Sequence, residues 1–232
     1  HVEVCMLARY PFTSLLMALT VSYAAASVKG AIMYTSQTRY VEAENNAAQF
    51  PLRISAPDFN AFNATARLET PVNQPEPRTL AEASMNSVLD QAGLRASGRV
   101  TAQWLTPQVA IGGALARVAF AVEFAIDQPM SFMLVGNAQQ LQSVTQSSGG
   151  IALFQGDIEI ASAGLGAPGP IALSLDPGSY RLIMQASAIT RMNGAQSGEV
   201  VYDFGLLVPE SPALLAMFAA GVMRRERRRA ET

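Results

Sequence analysis

Asp157 and Glu159 are the residues whose type and spacing come nearest to a catalytic pair in this chain. Two positions apart on an extended segment, they would project to one face with backbones about 6.5 to 7 Å apart. A pair of carboxylates is also the one hydrolytic arrangement that needs neither histidine nor cysteine. That independence matters, because the chain holds a single histidine, His1, and a single cysteine, Cys5. Both precede an apolar amino-terminal stretch that reads as a removable leader, so the remaining domain has neither residue type. Ser-His-Asp and Cys-His nucleophiles, the usual zinc sites and internal disulfides are then out of reach. We therefore expect no catalytic, cofactor or metal site. Carboxylates are mostly solvated, so the plainer reading of Asp157 and Glu159 is an exposed strand face or a calcium-tolerant turn. Asp176 reads as a turn former and Glu123 as the polar side of an apolar strand. The lone Trp104 reads as a residue packed at the core edge, with a sugar-stacking platform as the sharper alternative.

The elements that would position these residues are short and extended. Leu115 to Ile126 carries the clearest pattern: Val118, Phe120, Val122, Phe124 and Ile126 alternate with Ala119, Ala121, Glu123 and Ala125, which is period two with one bulky face. Tyr180 to Ile189 repeats it with Tyr180, Leu182, Met184, Ala186 and Ala188, and Glu199 to Leu207 with Tyr202, Phe204 and Leu206. Further strands are expected over Ala31 to Glu44, Leu52 to Ser55, Phe59 to Leu68, Thr79 to Leu89, Leu94 to Trp104 and Ile171 to Leu175. A helix over Leu80 to Leu89 is the alternative for one of these, since Ala and Glu favour it. The Asp127-Gln128-Pro129 turn leads into Met130 to Val135, and Gly136-Asn137 reads as the close of a hairpin-like pair. Gln139 to Gln146 reads as a polar edge or loop. Ser147-Ser148-Gly149-Gly150 reads as a flexible connection before Ile151 to Phe154 and Ile158 to Ile160. Glu69 to Arg78, with three prolines, and Gly164 to Pro170 are loops; the latter lacks the Lys-Ser/Thr pair of a phosphate loop. Asp176-Pro177-Gly178 is a turn signal ahead of Tyr180. The sum predicts an all-β chain, an antiparallel β-sandwich of jelly-roll type, with a barrel as the alternative architecture.

Composition agrees with one ordinary domain. Half of the 232 residues are apolar and 15% are charged, which is not the composition of a disordered chain. Ser27 to Val208 contains ten Lys or Arg and fourteen Asp or Glu, a net charge of 10 − 14 = −4. The basic residues in it are scattered, so no nucleic-acid partner is expected.

Both ends of the chain carry addressing patterns. From Met6 a basic Arg9, an apolar stretch and the small residues Ala24, Ala25 and Ala26 predict an N-terminal signal helix cleaved between Ala26 and Ser27; a retained membrane anchor is the alternative. His1 to Cys5 read as an extension ahead of a start at Met6. At the other end, Val208-Pro209-Glu210 precedes an apolar run over Ala213 to Met223 that stops at Arg224, Arg225, Arg227, Arg228 and Arg229. Pro212 suits the first turn of a short C-terminal hydrophobic helix, and the arginines complement its dipole and act as a stop-transfer signal on the cytoplasmic side. The twelve residues from Pro212 to Met223 cover about 18 Å of a hydrocarbon core of roughly 30 Å. Snorkelling and local thinning make that a short anchor; an interfacial helix or a disordered basic tail is the alternative.

The Pro-Glu signature, apolar helix and terminal arginine cluster together resemble the PEP-CTERM sorting domain of Gram-negative bacterial surface proteins, over about a tenth of the chain. The resemblance implies export through the Sec translocon, transient anchoring in the inner membrane, cleavage near the signature by an exosortase, and association with exopolysaccharide or biofilm at the cell surface or in the extracellular matrix. It divides the chain into a signal peptide at 1–26, a β-sandwich at 27–207 and a sorting tail at 208–232. Two functions are expected from these readings: a non-enzymatic surface or matrix protein, or else a secreted carbohydrate-active enzyme or carbohydrate-binding module using acidic residues.

Overall fold

The computed structural model describes residues 30–45, 50–70, 78–105, 113–143, 146–166, 169–191 and 197–209. Ala24, Ala26, Ser27, Glu210 and the five tail arginines lie outside them, as do the two expected helices. In chain order the strands are β1 (Ile32–Asn45), β2 (Leu52–Ser55), β3 (Phe62–Glu69), β4 (Thr79–Asp90), β5 (Gly93–Trp104) and β6 (Gly113–Ile126), followed by β7 (Met130–Ser143), β8 (Gln146–Gln155), β9 (Ile158–Gly164), β10 (Ile171–Leu175), β11 (Gly178–Arg191) and β12 (Ser197–Leu207). They form two six-stranded antiparallel sheets, β2-β1-β6-β11-β8-β9 and β10-β7-β12-β5-β4-β3.

The period-two segments become the middle of the sandwich because each presents one apolar face to the opposite sheet. Along β6 every second residue from Ala114 to Ile126 is buried, and β11 and β12 do the same from the expected positions. Phe124 stacks on Tyr180 with centroids 5.7 Å apart and touches Phe132 of the facing sheet at 6.4 Å, while Tyr202 stacks on Phe204 at 5.5 Å. Burying side chains of this size contributes about 1.5–3 kcal/mol each. Residues 80–89 lie in β4, not in a helix: pairing with β3 and β5 on either side and burial of Ala81, Ala83 and Met85 override the helical preference of Ala and Glu.

Two segments differ from expectation for one physical reason. Gly136-Asn137 closes no hairpin but lies within β7, and Ser147 to Gly150 is part of β8, paired with β11; Gln139 to Ser143 continues β7 beyond the end of β10, paired among the described residues with β12 alone, and is the polar edge expected there. The glycines serve close approach between the sheets. A Cβ on Gly136 would come within 2.4 Å of the Ala163 Cβ on β9, and one on Gly149 within 3.1 Å of the Ala138 Cβ on β7. The winding differs as well. In a jelly roll the connected strands of one ribbon pair with a second ribbon in reverse order, whereas β6 and β7 pair with β11 and β12 in the same order.

One pole of the sandwich gathers tight turns and both ends of the described chain. Ile126 lies opposite Ile32 and Gly178, and Leu207 opposite Gly93. The β4–β5 turn clasps both chain ends there. The Gln91 side chain accepts from the Ile32 N–H (3.0 Å) and donates to its carbonyl (2.9 Å), and the Val208 N–H donates to the Ala92 carbonyl (2.9 Å). Tyr34 adds a hydroxyl donated to the Asp90 carbonyl.

Candidate functional site

Asp157 sits in the turn between β8 and β9, and Glu159 follows on β9, an edge strand of its sheet; both are exposed. A register shift between Leu153 and Phe154 interrupts the β8–β9 ladder beside them. They face water and not a cleft. Asp176 closes the β10–β11 turn, where its carbonyl accepts the Tyr180 hydroxyl at 2.7 Å, and Glu123 is an exposed residue on the outer side of β6. Among the described residues no group of three or more His, Cys, Asp or Glu is placed to hold a metal ion.

The carboxylate that is withdrawn from water is Glu42, whose side chain is 3% exposed although it points away from the core. Strand register sets it between Arg53 on β2 and Arg117 on β6. Arg53 Nε lies 2.6 Å from one oxygen and Arg117 Nη2 2.5 Å from the other. The Arg53 guanidinium also covers the Tyr40 ring at 3.9 Å. Each oxygen therefore faces an arginine, Oε2 through a hydrogen bond from Arg53 and Oε1 through ion-pair contact with Arg117 and, among the described residues, no hydrogen bond, an arrangement that suits holding three strands together.

A second buried charge is structural too. Arg39, 1% exposed, projects between the sheets and donates to Ser87 Oγ on β4 (3.1 Å), to Gln37 Oε1 (3.1 Å) and to the carbonyls of Asp58 and Asn60, the latter at 2.8 Å. Burial lowers its pKa from the ordinary arginine value, and the Asp58 carboxylate works in the opposite direction. It fastens the β2–β3 connection, and nothing about it is accessible to a ligand.

A concave feature of the described surface lies on the outer face of the first sheet, across β9, β8 and β11. It is a shallow trough of about 500 Å³. Its floor is Gly150 and Ala152 on β8 with Ser162 and Gly164 on β9, residues whose small side chains leave the backbone open. Ile183 and Gln185 of β11 form one side, and Phe154 closes one end beneath the Arg181 guanidinium at 5.3 Å. Ser148 and Ser187, bonded to one another at 2.8 Å, lie beyond Gly150 and Gln185. None of the lining side chains is charged. Sequence reasoning passed over this trough because the Ser-Ser-Gly-Gly run looked like a linker; the available signal was small residues recurring at alternate positions in β8 and β9.

Trp104 is no platform. It is buried at 8% exposure at the end of β5, and its indole Nε1 has no hydrogen-bond partner among the described residues. Of the sorting signature, Val208 and Pro209 are half-buried, and Val208 packs against the core as well as bonding to Ala92. Comparison of the chain with models of protein families and with curated proteins finds no match.

Proposed function

We propose that this chain is an exported, exosortase-processed protein of the cell surface or extracellular matrix, non-enzymatic and associated with exopolysaccharide. In this reading residues 1–26 are a signal helix and residues 208–232 a short anchor that is later removed. The observation that carries it is the order of the carboxyl-terminal residues, in which Val208-Pro209-Glu210, an apolar run and an arginine cluster follow the last strand with no spacer. The fold is compatible with such handling, because Gly30 and Pro209 leave from the same pole, so leader and anchor attach to one end of the sandwich. The carboxylates do not favour the enzyme reading, since Asp157 and Glu159 face water and Glu42 is spent on two arginines.

Mass spectrometry of the protein from its native host tests the proposal. A mature form beginning near Ser27 and ending near Pro209 is expected. An intact carboxyl terminus in a host possessing an exosortase would overturn it.

A further inference from the structure

We propose that the trough on β9, β8 and β11 binds an uncharged polysaccharide chain; the inference rests on the reading of the protein as matrix-associated and names the class of glycan. The sheet register builds the trough from parallel rows. Gly164, Gly150 and Gln185 lie side by side, and the next row is Ser162, Ala152 and Ile183. Three strands about 4.8 Å apart make the trough roughly 10 Å across, the width of a sugar ring with its substituents. Its volume falls within the few hundred to about 1,000 Å³ of small-ligand sites.

The chemistry of the lining is mixed in the way a pyranose is. Ala152, Ile183 and the Phe154 ring offer apolar surface to the C–H face of a sugar, where a ring stack is favourable. Gln185 at the side and Ser162 on the floor offer amide and hydroxyl groups, and the Ser148–Ser187 pair adds polar groups past the end of the floor. A purely apolar partner would leave these groups dry and unpaired, at a cost of about 1–3 kcal/mol for each.

Charge decides which glycan. The floor and sides carry no charge. Arg117 is held by Glu42, and Arg181 lies over Phe154 and opposite Glu123 across the ladder. A polyanion would meet one arginine, Arg181, at one end of the trough with Glu123 set opposite it, and nothing along the floor would compensate its repeated charge, whereas a neutral chain needs no counter-charge.

The test is affinity electrophoresis of the full chain in mild detergent, in native gels containing hydroxyethylcellulose, dextran or galactomannan, with polygalacturonate alongside. At least one neutral polymer should slow migration. Ala152→Leu fills the floor from the solvent side and should weaken the apparent affinity at least about tenfold with the melting temperature unchanged. Gln185→Ala, at an exposed position, removes an amide without filling space and should weaken it about three- to tenfold, the equivalent of one lost hydrogen bond. Retardation by no neutral polymer, by polygalacturonate alone, or equally in wild type and Ala152→Leu would overturn the proposal. So would a dimer, seen by sedimentation, that Ala152→Leu dissociates, because the trough would then be covered by a second copy. None of these results bears on the termini of the mature protein, so the site can fail while the reading of export and processing stands.

Discussion

Replacing Gly136 by alanine tests whether the glycines of this chain are packing residues. The added methyl would sit 2.4 Å from the Ala163 Cβ and 3.1 Å from Ile151 Cγ2, where carbon atoms normally rest about 3.5–4.0 Å apart. β7 belongs to one sheet, and β8 and β9 to the other, so relief requires the sheets to part locally. Overpacking of this kind costs about 1–3 kcal/mol, offset by about 0.5–1 kcal/mol because alanine loses less backbone entropy than glycine on folding. A net destabilisation of about 1–2 kcal/mol is expected. Ala163→Gly alone should cost about 1–2 kcal/mol, from one buried methyl and the extra entropy. Combined, the two substitutions move the methyl across the interface and conserve volume, so the double variant should be more stable than the sum of the singles by about 1 kcal/mol. Urea unfolding followed through the fluorescence of buried Trp104, the sole tryptophan, measures all three variants against wild type. Strict additivity would refute the argument, since the cost of Gly136→Ala would then arise somewhere other than at Ala163.

Arg39→Met should destabilise by about 2–4 kcal/mol, because Ser87 and the carbonyls of Asp58 and Asn60 lose a charged donor; hydrogen exchange should show residues 56–61 opening before the sheets do. Glu42→Gln leaves Arg53 and Arg117 facing each other without a counter-charge. As both arginines are about half exposed, a loss of about 1–2 kcal/mol is expected, smaller at high salt, which denaturation at two ionic strengths reads out. Tyr202 is pushed well above the ordinary tyrosine pKa by burial, and its hydroxyl donates to the Ser84 carbonyl (2.8 Å). The folded state therefore keeps a proton that the unfolded state releases near pH 10, so stability is full below that value and falls as pH rises above it. Tyr202→Phe should lower stability at neutral pH by about 1 kcal/mol and flatten the alkaline decline; an unchanged decline in urea midpoints between pH 9 and 11 would contradict this.

The parts of the fold that were legible from sequence are those in which one face of one strand decides. In β6, β11 and β12 the bulky residues recur at alternate positions, and they are the ones buried. Asp176-Pro177-Gly178 and Tyr180 likewise act locally, with the tyrosine hydroxyl returning to the Asp176 carbonyl four residues back. What was illegible depends on a partner distant in the chain. Gly136 and Gly149 look like turn glycines until Ala163 and Ala138 stand opposite them. Arg39 looks like any strand arginine, yet its position between the sheets follows from carbonyls contributed by a loop some twenty residues on. The trough was hidden for the same reason, since its floor is assembled from small residues of β8 and β9 and its side from β11, a strand distant in the chain.

Where the trough lies bears on how the two proposals fit together. The pole that releases Gly30 and Pro209 also carries the turns with Asp90, Asp127, Asp157 and Asp176, and Val208 is still bonded to the fold one residue before the chain leaves. An anchor that starts within a few residues of Pro209 would therefore hold this pole against the bilayer, with four exposed carboxylates near the surface and no linker to let the sandwich tilt away. The trough is on the flank, across strands that run from this pole to the opposite one, so an anchored molecule presents it sideways, clear of the membrane. Glycan binding would then precede cleavage as readily as follow it, and processing would change where the bound chain is carried and not whether it is held. Wild-type protein still bearing its arginine tail should accordingly bind the neutral polymer as tightly as the processed form. A large gain on removal of residues 210–232 would show instead that the tail obstructs the trough, and would place the binding surface nearer the pole than the register of β8 and β9 allows.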